Sequence, residues 1–184
     1  MNPDMTPAEL ADEMAAAIAH AIQAHSHFPI TPRHAIRYWD GRTPFAIHPI
    51  WCAMTLLGET RLPDAVRHEG YLTLLWHDIL EDSTLGLPAG CPPRIRGLVE
   101  EMTFDGLDDE FVRLWERGDM VKLLKLYDKV SQFFDGTWLT DQRWNRLLEH
   151  TLRLQAFVES TYGELNIVRI ARAVCRPRGA GEAR

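Results

Sequence analysis

Apolar residues recur three or four positions apart along most of the chain, which is the spacing of amphipathic helices. In the first segment they are Leu10, Met14, Ile18 and Ile22, and they follow a capping box that begins at Thr6 and predicts a helix over about residues 7–26. Further helices of this kind are predicted to begin near Pro49, Pro63, Pro93, Asp108, Asp119, Thr140 and Glu164. The pattern predicts one all-α domain over residues 1–184, with its core at about 30–162 and a flexible tail at 176–184.

Residues 27–47 interrupt the helical pattern. They contain three prolines, Gly41 and several aromatic and polar residues, which predicts a long loop. A loop of this length in a small domain usually has a function. His48 follows the loop directly and is predicted at or beside the start of the next helix, next to Pro49.

The helix predicted from about Pro63 to Asp82 is apolar around most of its circumference, which indicates burial in the core. His77, Asp78, Glu81 and Asp82 are set into it within an arc of roughly 140°, so they share one face. Three carboxylates crowded on a buried helix repel one another and lose hydration, and a divalent cation would compensate both effects. The alternative is an exposed acidic face at the end of an amphipathic helix.

Asp128 is the one acidic residue in another mostly apolar helix, where Lys125, Lys129 and Gln132 flank it. A lone buried aspartate is unfavourable unless it is paired, so it is predicted either to bind a metal or to form a salt bridge with a lysine. The presence of His48 and the His77-Asp78 pair elsewhere in the chain favours the metal. His48 taken alone has the alternative of being a core histidine.

Net charge and composition exclude several classes of partner. The formal charge is −6 and the pI is about 5.7, so no overall basic field indicates binding to nucleic acid or to an anionic membrane. No apolar run approaches the ~18 residues of a membrane span, and the acidic N-terminus argues against a targeting peptide. Cys52, Cys91 and Cys175 are far apart, which predicts reduced thiols and a cytoplasmic protein. The oligomeric state stays open.

The metal-binding candidates occur in the order His, His-Asp, Asp, each on a predicted helix, and in this the chain resembles the HD-domain superfamily of metal-dependent phosphohydrolases. Four segments narrow the resemblance to alarmone hydrolases, both the small stand-alone enzymes and the hydrolase domain of Rel/Spo proteins. These segments are Thr43-Pro44-Phe45-Ala46-Ile47-His48-Pro49, His77-Asp78-Ile79-Leu80-Glu81-Asp82-Ser83, Leu98-Val99-Glu100-Glu101-Met102-Thr103 and Lys125-Leu126-Tyr127-Asp128-Lys129.

The resemblance implies a helical HD domain with one divalent metal ion in a core cleft. It assigns the metal ligands and the two acidic residues that position and activate the attacking water. The ligands are His48, His77, Asp78 and Asp128, and the acidic pair is Glu81 and Asp82. Two imidazoles and two carboxylates suit Mn²⁺, Fe²⁺ or Zn²⁺, and the family implies Mn²⁺.

The resemblance also implies a small-molecule nucleotide substrate, such as guanosine 3′,5′-bis(diphosphate). Lys125, Lys129 and Arg42 are candidates for binding phosphate oxygens, with solvated surface bases as the alternative for each. The family stacks an arginine on the base. That position is Arg37 by comparison with the stand-alone enzymes and Trp39 by comparison with the bifunctional ones, while Gln132 replaces a nearby asparagine.

Two other functions remain open at this stage. One is an HD nucleotidase that acts on nucleoside monophosphates. The other is a sensor domain that binds a metal and a nucleotide without turnover. The complete Glu81-Asp82 pair favours an enzyme over a sensor, because a binding module does not need to activate water.

Overall fold

The protein is described by a computed structural model that covers residues 6–37, 41–134, 136 and 139–178. Regular secondary structure in these ranges is helical, which confirms the predicted all-α class. In chain order the α-helices are α1 (Pro7–His27), α2 (Ile47–Leu57), α3 (Asp64–Trp76), α4 (Ile79–Asp82), α5 (Pro93–Met102), α6 (Gly106–Arg113), α7 (Asp119–Gln132), α8 (Asp141–Tyr162) and α9 (Asn166–Val174). Two isolated β-bridges connect Pro29 with Ser83 and Ile36 with Pro44.

Helix α7 lies at the centre of the fold and contacts α2, α3, α5, α8 and α9. Its buried side chains come from most of its circumference, as its apolar sequence predicts. Helix α3 packs against α2 and α7 at Gly70, where a side-chain Cβ would overlap Leu56 and would approach the Leu124 side chain to 3.0 Å. The close packing brings α2, the end of α3 and α7 together, and these are the segments that carry the predicted metal ligands.

Two helix starts follow the capping chemistry in the sequence. At α1 the amide of Glu9 donates to Thr6 Oγ1 at 3.2 Å, and the Thr6 amide donates back to the Glu9 carboxylate at 2.8 Å. At α8 the Thr140 hydroxyl accepts the Arg143 amide at 3.3 Å. Local side-chain chemistry therefore determines where these two helices begin.

The continuous helix predicted from Pro63 to Asp82 is wrong, because α3 ends at Trp76 and α4 begins at Ile79. His77 Nδ1 lies 2.8 Å from the carbonyl oxygen of Leu74. An uninterrupted helix would use that oxygen for the Asp78 amide, so the imidazole competes with the backbone at this point. The break consists of the two residues of the His-Asp pair.

Other helix boundaries also differ from the prediction. Helix α2 begins at Ile47, so His48 lies in its first turn, and α6 begins at Gly106 and not near Asp108. The φ of Gly106 is +81°, a conformation that favours glycine. The predicted tail covers residues 176–184, of which 179–184 lie outside the described ranges. Arg178, in the described part, donates to the Gly136 and Leu139 carbonyl oxygens. The described part of the tail is therefore held against the loop before α8.

The cysteines form no disulfide, as predicted, and Cys52, Cys91 and Cys175 are all buried free thiols. A membrane-spanning helix is not found either: within the described ranges, every helix is too short or too polar to cross a bilayer.

Candidate metal centre

The four predicted metal ligands meet between α2, the α3–α4 break and α7. The Nε2 atoms of His48 and His77 are 3.2 Å apart. Asp78 places one carboxylate oxygen 3.2 Å from His48 Nε2 and the other 3.1 Å from His77 Nε2. Asp128 Oδ1 lies 3.4 and 3.8 Å from the same two nitrogens. All four side chains thus surround one point, although they come from three separate parts of the sequence.

Hydrogen bonds fix which nitrogen each imidazole presents to that point. The Leu74 carbonyl can only accept, so Nδ1 of His77 carries the proton and donates. The Ser131 hydroxyl donates to the Asp128 carbonyl at 3.0 Å, so its oxygen accepts from Nδ1 of His48. In the neutral form both rings therefore direct an Nε2 lone pair at the same position. Partners of this kind orient histidine ligands in metalloproteins.

The donor set fits a divalent cation. Donor atoms of His48, His77 and Asp128 lie within 4.8 Å of one another, and Asp78 Oδ2 is buried without a hydrogen-bond partner in the described part of the chain. Burial by itself lowers the pKa of His48, but the neighbouring Cys52 sulfur and the Asp128 and Asp78 carboxylates raise it well above its usual value. The carboxylates therefore require a positive charge between them. Two imidazoles and two carboxylates suit Mn²⁺, Fe²⁺ or Zn²⁺.

The predicted acidic pair lies beside this point on the short helix α4. The Glu81 carboxylate accepts the backbone amide of Phe104 at 3.0 Å, and Asp82 lies 3.7 Å from Nε2 of His34. Burial, followed by the charges of Asp78 and Glu81, raises the pKa of Asp82 to about 8. Burial likewise raises the pKa of Glu81. Both groups therefore hold a proton more tightly than ordinary carboxylates, and a cation beside them would favour the ionised form, which can accept a proton.

Lys125 and Lys129 are each only 3% exposed, so neither is a solvated surface base. Both ammonium groups lie 3.1 Å from Asp128 Oδ2 and within 3.0 Å of Glu110 Oε2. Burial alone would raise the pKa of Asp128, but Lys129 and Lys125 hold it well below its usual range. Asp128 can therefore form a salt bridge and face the metal position at the same time, because one of its oxygens faces the lysines and the other faces the imidazoles.

Three of the four predicted ligands, His48, Asp78 and Asp128, line one wall of a cavity of about 240 Å³. Arg37 and Gln132 also line it, with the Arg37 guanidinium 5.7 Å from the centre of the Phe45 ring. The Gln132 amide donates to Asp128 Oδ1 at 3.3 Å, so it supports the aspartate. Arg42 is exposed and is not among the residues that line the cavity, and Trp39 lies outside the described residues.

Sequence reasoning did not identify several residues of the site. Glu110, Ser131 and His34 contact it from α6, α7 and the loop before α2, and their surroundings in the sequence do not distinguish them.

His25 is 1% exposed, its ring lies 4.8 Å from that of Phe45, and neither ring nitrogen has a hydrogen-bond partner within the described ranges. Burial lowers the pKa of His25 to about 4, so this imidazole is neutral at physiological pH.

No protein-family model matches this chain, and no curated protein sequence does either. The fold is similar to that of a solved structure described as a metazoan ortholog of SpoT that hydrolyzes ppGpp and plays a role in starvation responses. The TM-score is 0.70 at 20% sequence identity, and the alignment covers 91% of this chain and 96% of the other. The likeness establishes a shared fold, and that fold is all-α as predicted.

Proposed function

We propose that this protein is a metal-dependent phosphohydrolase that cleaves a phosphate or pyrophosphate ester of a nucleotide. The observation that carries the proposal is the convergence of four donor side chains, His48, His77, Asp78 and Asp128, on one point in the wall of a cavity. Basic and acidic groups lie in the same wall, as the reaction requires. A divalent cation would be held by these four residues, with Mn²⁺ the first choice and Fe²⁺ or Zn²⁺ as alternatives.

When bound, such an ion lowers the pKa of water and polarises a phosphoryl oxygen. The protein side chains supply the remaining chemistry. Glu81 and Asp82 both line the cavity, so one ionised carboxylate orients the attacking water while the other accepts its proton. Lys125 and Lys129 donate hydrogen bonds to phosphate oxygens and stabilise the negative charge that develops on them.

Guanosine 3′,5′-bis(diphosphate) is the first substrate to test, because the structural neighbour is described as hydrolysing ppGpp. Release of the 3′-pyrophosphate is the expected reaction. Arg37 and Phe45 lie together in the cavity wall and offer a cationic and an aromatic surface to a base. Arg42 and Trp39 are kept as further candidates for contacts with the nucleotide.

The decisive experiment incubates the purified protein with Mn²⁺ and this nucleotide and follows pyrophosphate release. His77→Ala should abolish release, because it removes one of the two convergent imidazoles. His68→Ala is the matched control, since His68 lies on α3, which ends directly before His77, but pairs with Glu13 away from the cavity. Equal turnover by His77→Ala and the wild type would refute the proposal.

A nucleotide panel separates the alternatives. Release of phosphate from nucleoside monophosphates, with pyrophosphate esters left intact, would indicate an HD nucleotidase. Binding of a nucleotide without turnover in the presence of Mn²⁺ would indicate a sensor domain. The half-buried Glu81 and Asp82 carboxylates beside the metal position favour an enzyme over the sensor.

A further inference from the structure

Four charged side chains are buried together behind the candidate metal centre. Glu110, Lys125, Asp128 and Lys129 are each 3% exposed. Their charges sum to zero, but burying so many ions is unfavourable, and apolar residues of similar volume often give equal or greater stability. Fold stability alone is therefore a weak reason for the arrangement.

Glu110 is the member of this cluster that comes from outside α7. It lies on α6, and its Oε2 atom is 3.0 Å from Lys125 Nζ and 2.8 Å from Lys129 Nζ. Its other oxygen faces His150 of α8 at 3.5 Å. The carboxylate thus bridges two lysines that are one helical turn apart and fixes both to the same wall of the cavity.

The N–H donors of Lys125 and Lys129 are not all used by the two carboxylates. An ammonium group has three N–H donors. The Lys125 ammonium donates to Glu110 and to Asp128, and the Lys129 nitrogen lies 2.8 and 3.1 Å from the same two carboxylates. One donor on each lysine is left over, and both lysines line the cavity. Two cationic donors at fixed positions match the oxygens of a phosphate or pyrophosphate group.

We propose that Glu110 is a positioning residue: its carboxylate holds Lys125 and Lys129 so that the remaining N–H of each donates to the phosphate oxygens of the substrate. The inference rests on the proposed phosphohydrolase function and adds a residue to it. Glu110 does not touch the substrate in this scheme, and its effect passes through the lysines.

Binding of inorganic pyrophosphate to the Mn²⁺-loaded protein, measured by calorimetry, tests the inference without requiring turnover. Glu110→Gln should weaken this binding about tenfold, because each lysine loses its anchor. Asp109→Asn is the control: it removes the same charge from the same helix, but Asp109 pairs with Arg113 at 3.0 Å and does not line the cavity. Tighter binding by Glu110→Gln would show that Glu110 acts only as a nearby negative charge, and would overturn the inference.

A double-mutant cycle with Lys125→Met tests whether Glu110 acts through the lysines. If it does, the combined variant should lose less affinity than the product of the two single losses. Independent, multiplicative losses would contradict a positioning role. If Glu110→Gln does not fold, Glu110→Asp keeps the charge but withdraws the carboxylate by one methylene, and it should also weaken binding. Binding equal to wild type by the aspartate variant would overturn the inference.

Turnover distinguishes failure of this inference from failure of the proposed function. Wild-type protein that binds pyrophosphate but hydrolyses no nucleotide would refute the phosphohydrolase proposal. The double-mutant cycle of Glu110 and Lys125 could still be measured, because it depends only on pyrophosphate binding. Wild-type protein that binds no pyrophosphate would overturn the Glu110 inference directly. Where turnover is present, Glu110→Gln should lower kcat more than it changes KM, because the lysines act most strongly on charge that develops during the reaction.

Discussion

Ser131→Ala should weaken metal binding although Ser131 is not a metal ligand. The Ser131 hydroxyl accepts a hydrogen bond from Nδ1–H of His48 and donates its own hydrogen bond to the Asp128 backbone carbonyl. Alanine removes that acceptor, and both residues are buried, with exposures of 3% for Ser131 and 4% for His48. No water from the bulk can easily replace the hydroxyl.

The loss of metal affinity depends on whether the metal-free or the metal-bound protein is destabilised more by the missing Ser131 acceptor. Without metal, the His48 ring of the variant can release its Nδ1 proton and keep the proton on Nε2, which faces the Asp78 and Asp128 carboxylates, so the loss of Ser131 is partly avoided. With metal bound at Nε2, the proton must stay on Nδ1 and has no strong acceptor. A buried unsatisfied donor costs about 1–3 kcal/mol, which corresponds to roughly 5- to 150-fold in affinity. Loss of a residue that supports a metal ligand typically weakens binding about 10- to 100-fold, which agrees.

Calorimetric titration of chelator-treated protein with Mn²⁺, and with Zn²⁺, measures this affinity. Ser160→Ala is the matched control, because the Ser160 hydroxyl donates to a backbone carbonyl at 2.8 Å on the exposed side of α8. The melting temperature of the metal-free protein should change little, while the stabilisation gained on adding metal should shrink. A well-folded Ser131→Ala variant with wild-type metal affinity would refute the reasoning that His48 is oriented through Nδ1.

Three further predictions concern stability. Glu59→Gln should lower the free energy of unfolding by about 2–4 kcal/mol, because the buried carboxylate accepts two backbone amides at the start of α9. Urea denaturation measures this change, and an unchanged midpoint would contradict the prediction. Gly70→Ala should cost about 1–3 kcal/mol in the same assay, since the added methyl overlaps Leu56, whereas Gly97→Ala, with open space around it, should not destabilise. Removing metal with a chelator should lower the melting temperature, and adding Mn²⁺ should restore it; at a hundredfold excess over Kd the gain is about 2.7 kcal/mol, and a melting temperature independent of metal would argue against the site.

The metal-ligand candidates could be selected from the sequence because burial makes each of them conspicuous. His48, the His77-Asp78 pair and Asp128 stand in apolar helices, where an unpaired polar group is costly, and the order of the three elements is informative. The same reasoning placed His77 and Asp78 on one unbroken helix. That was wrong, because sequence periodicity does not show that the His77 imidazole takes a carbonyl oxygen from the backbone.

The roles of the lysines were undecided in the sequence for a similar reason. Helical spacing places Lys125 and Lys129 near Asp128, but it does not show whether they face solvent. Glu110 decides the matter from another helix, since its carboxylate lies within 3.0 Å of both ammonium groups in the interior. Glu110 follows two aspartates in an amphipathic segment, where an acidic residue is ordinarily solvated.

The sequence by itself determined the all-α class and most helix starts, and it singled out His48, His77, Asp78 and Asp128 as candidate metal ligands. Those properties depend on local interactions, namely periodic apolar positions, capping side chains and the cost of burying a charge within a helix. Only the tertiary structure decided which ring nitrogens face the metal position, and it alone brought Ser131, His34 and Glu110 into the site. Such contacts join residues distant in the chain, and their energies depend on distances that side-chain packing sets and that no local pattern encodes.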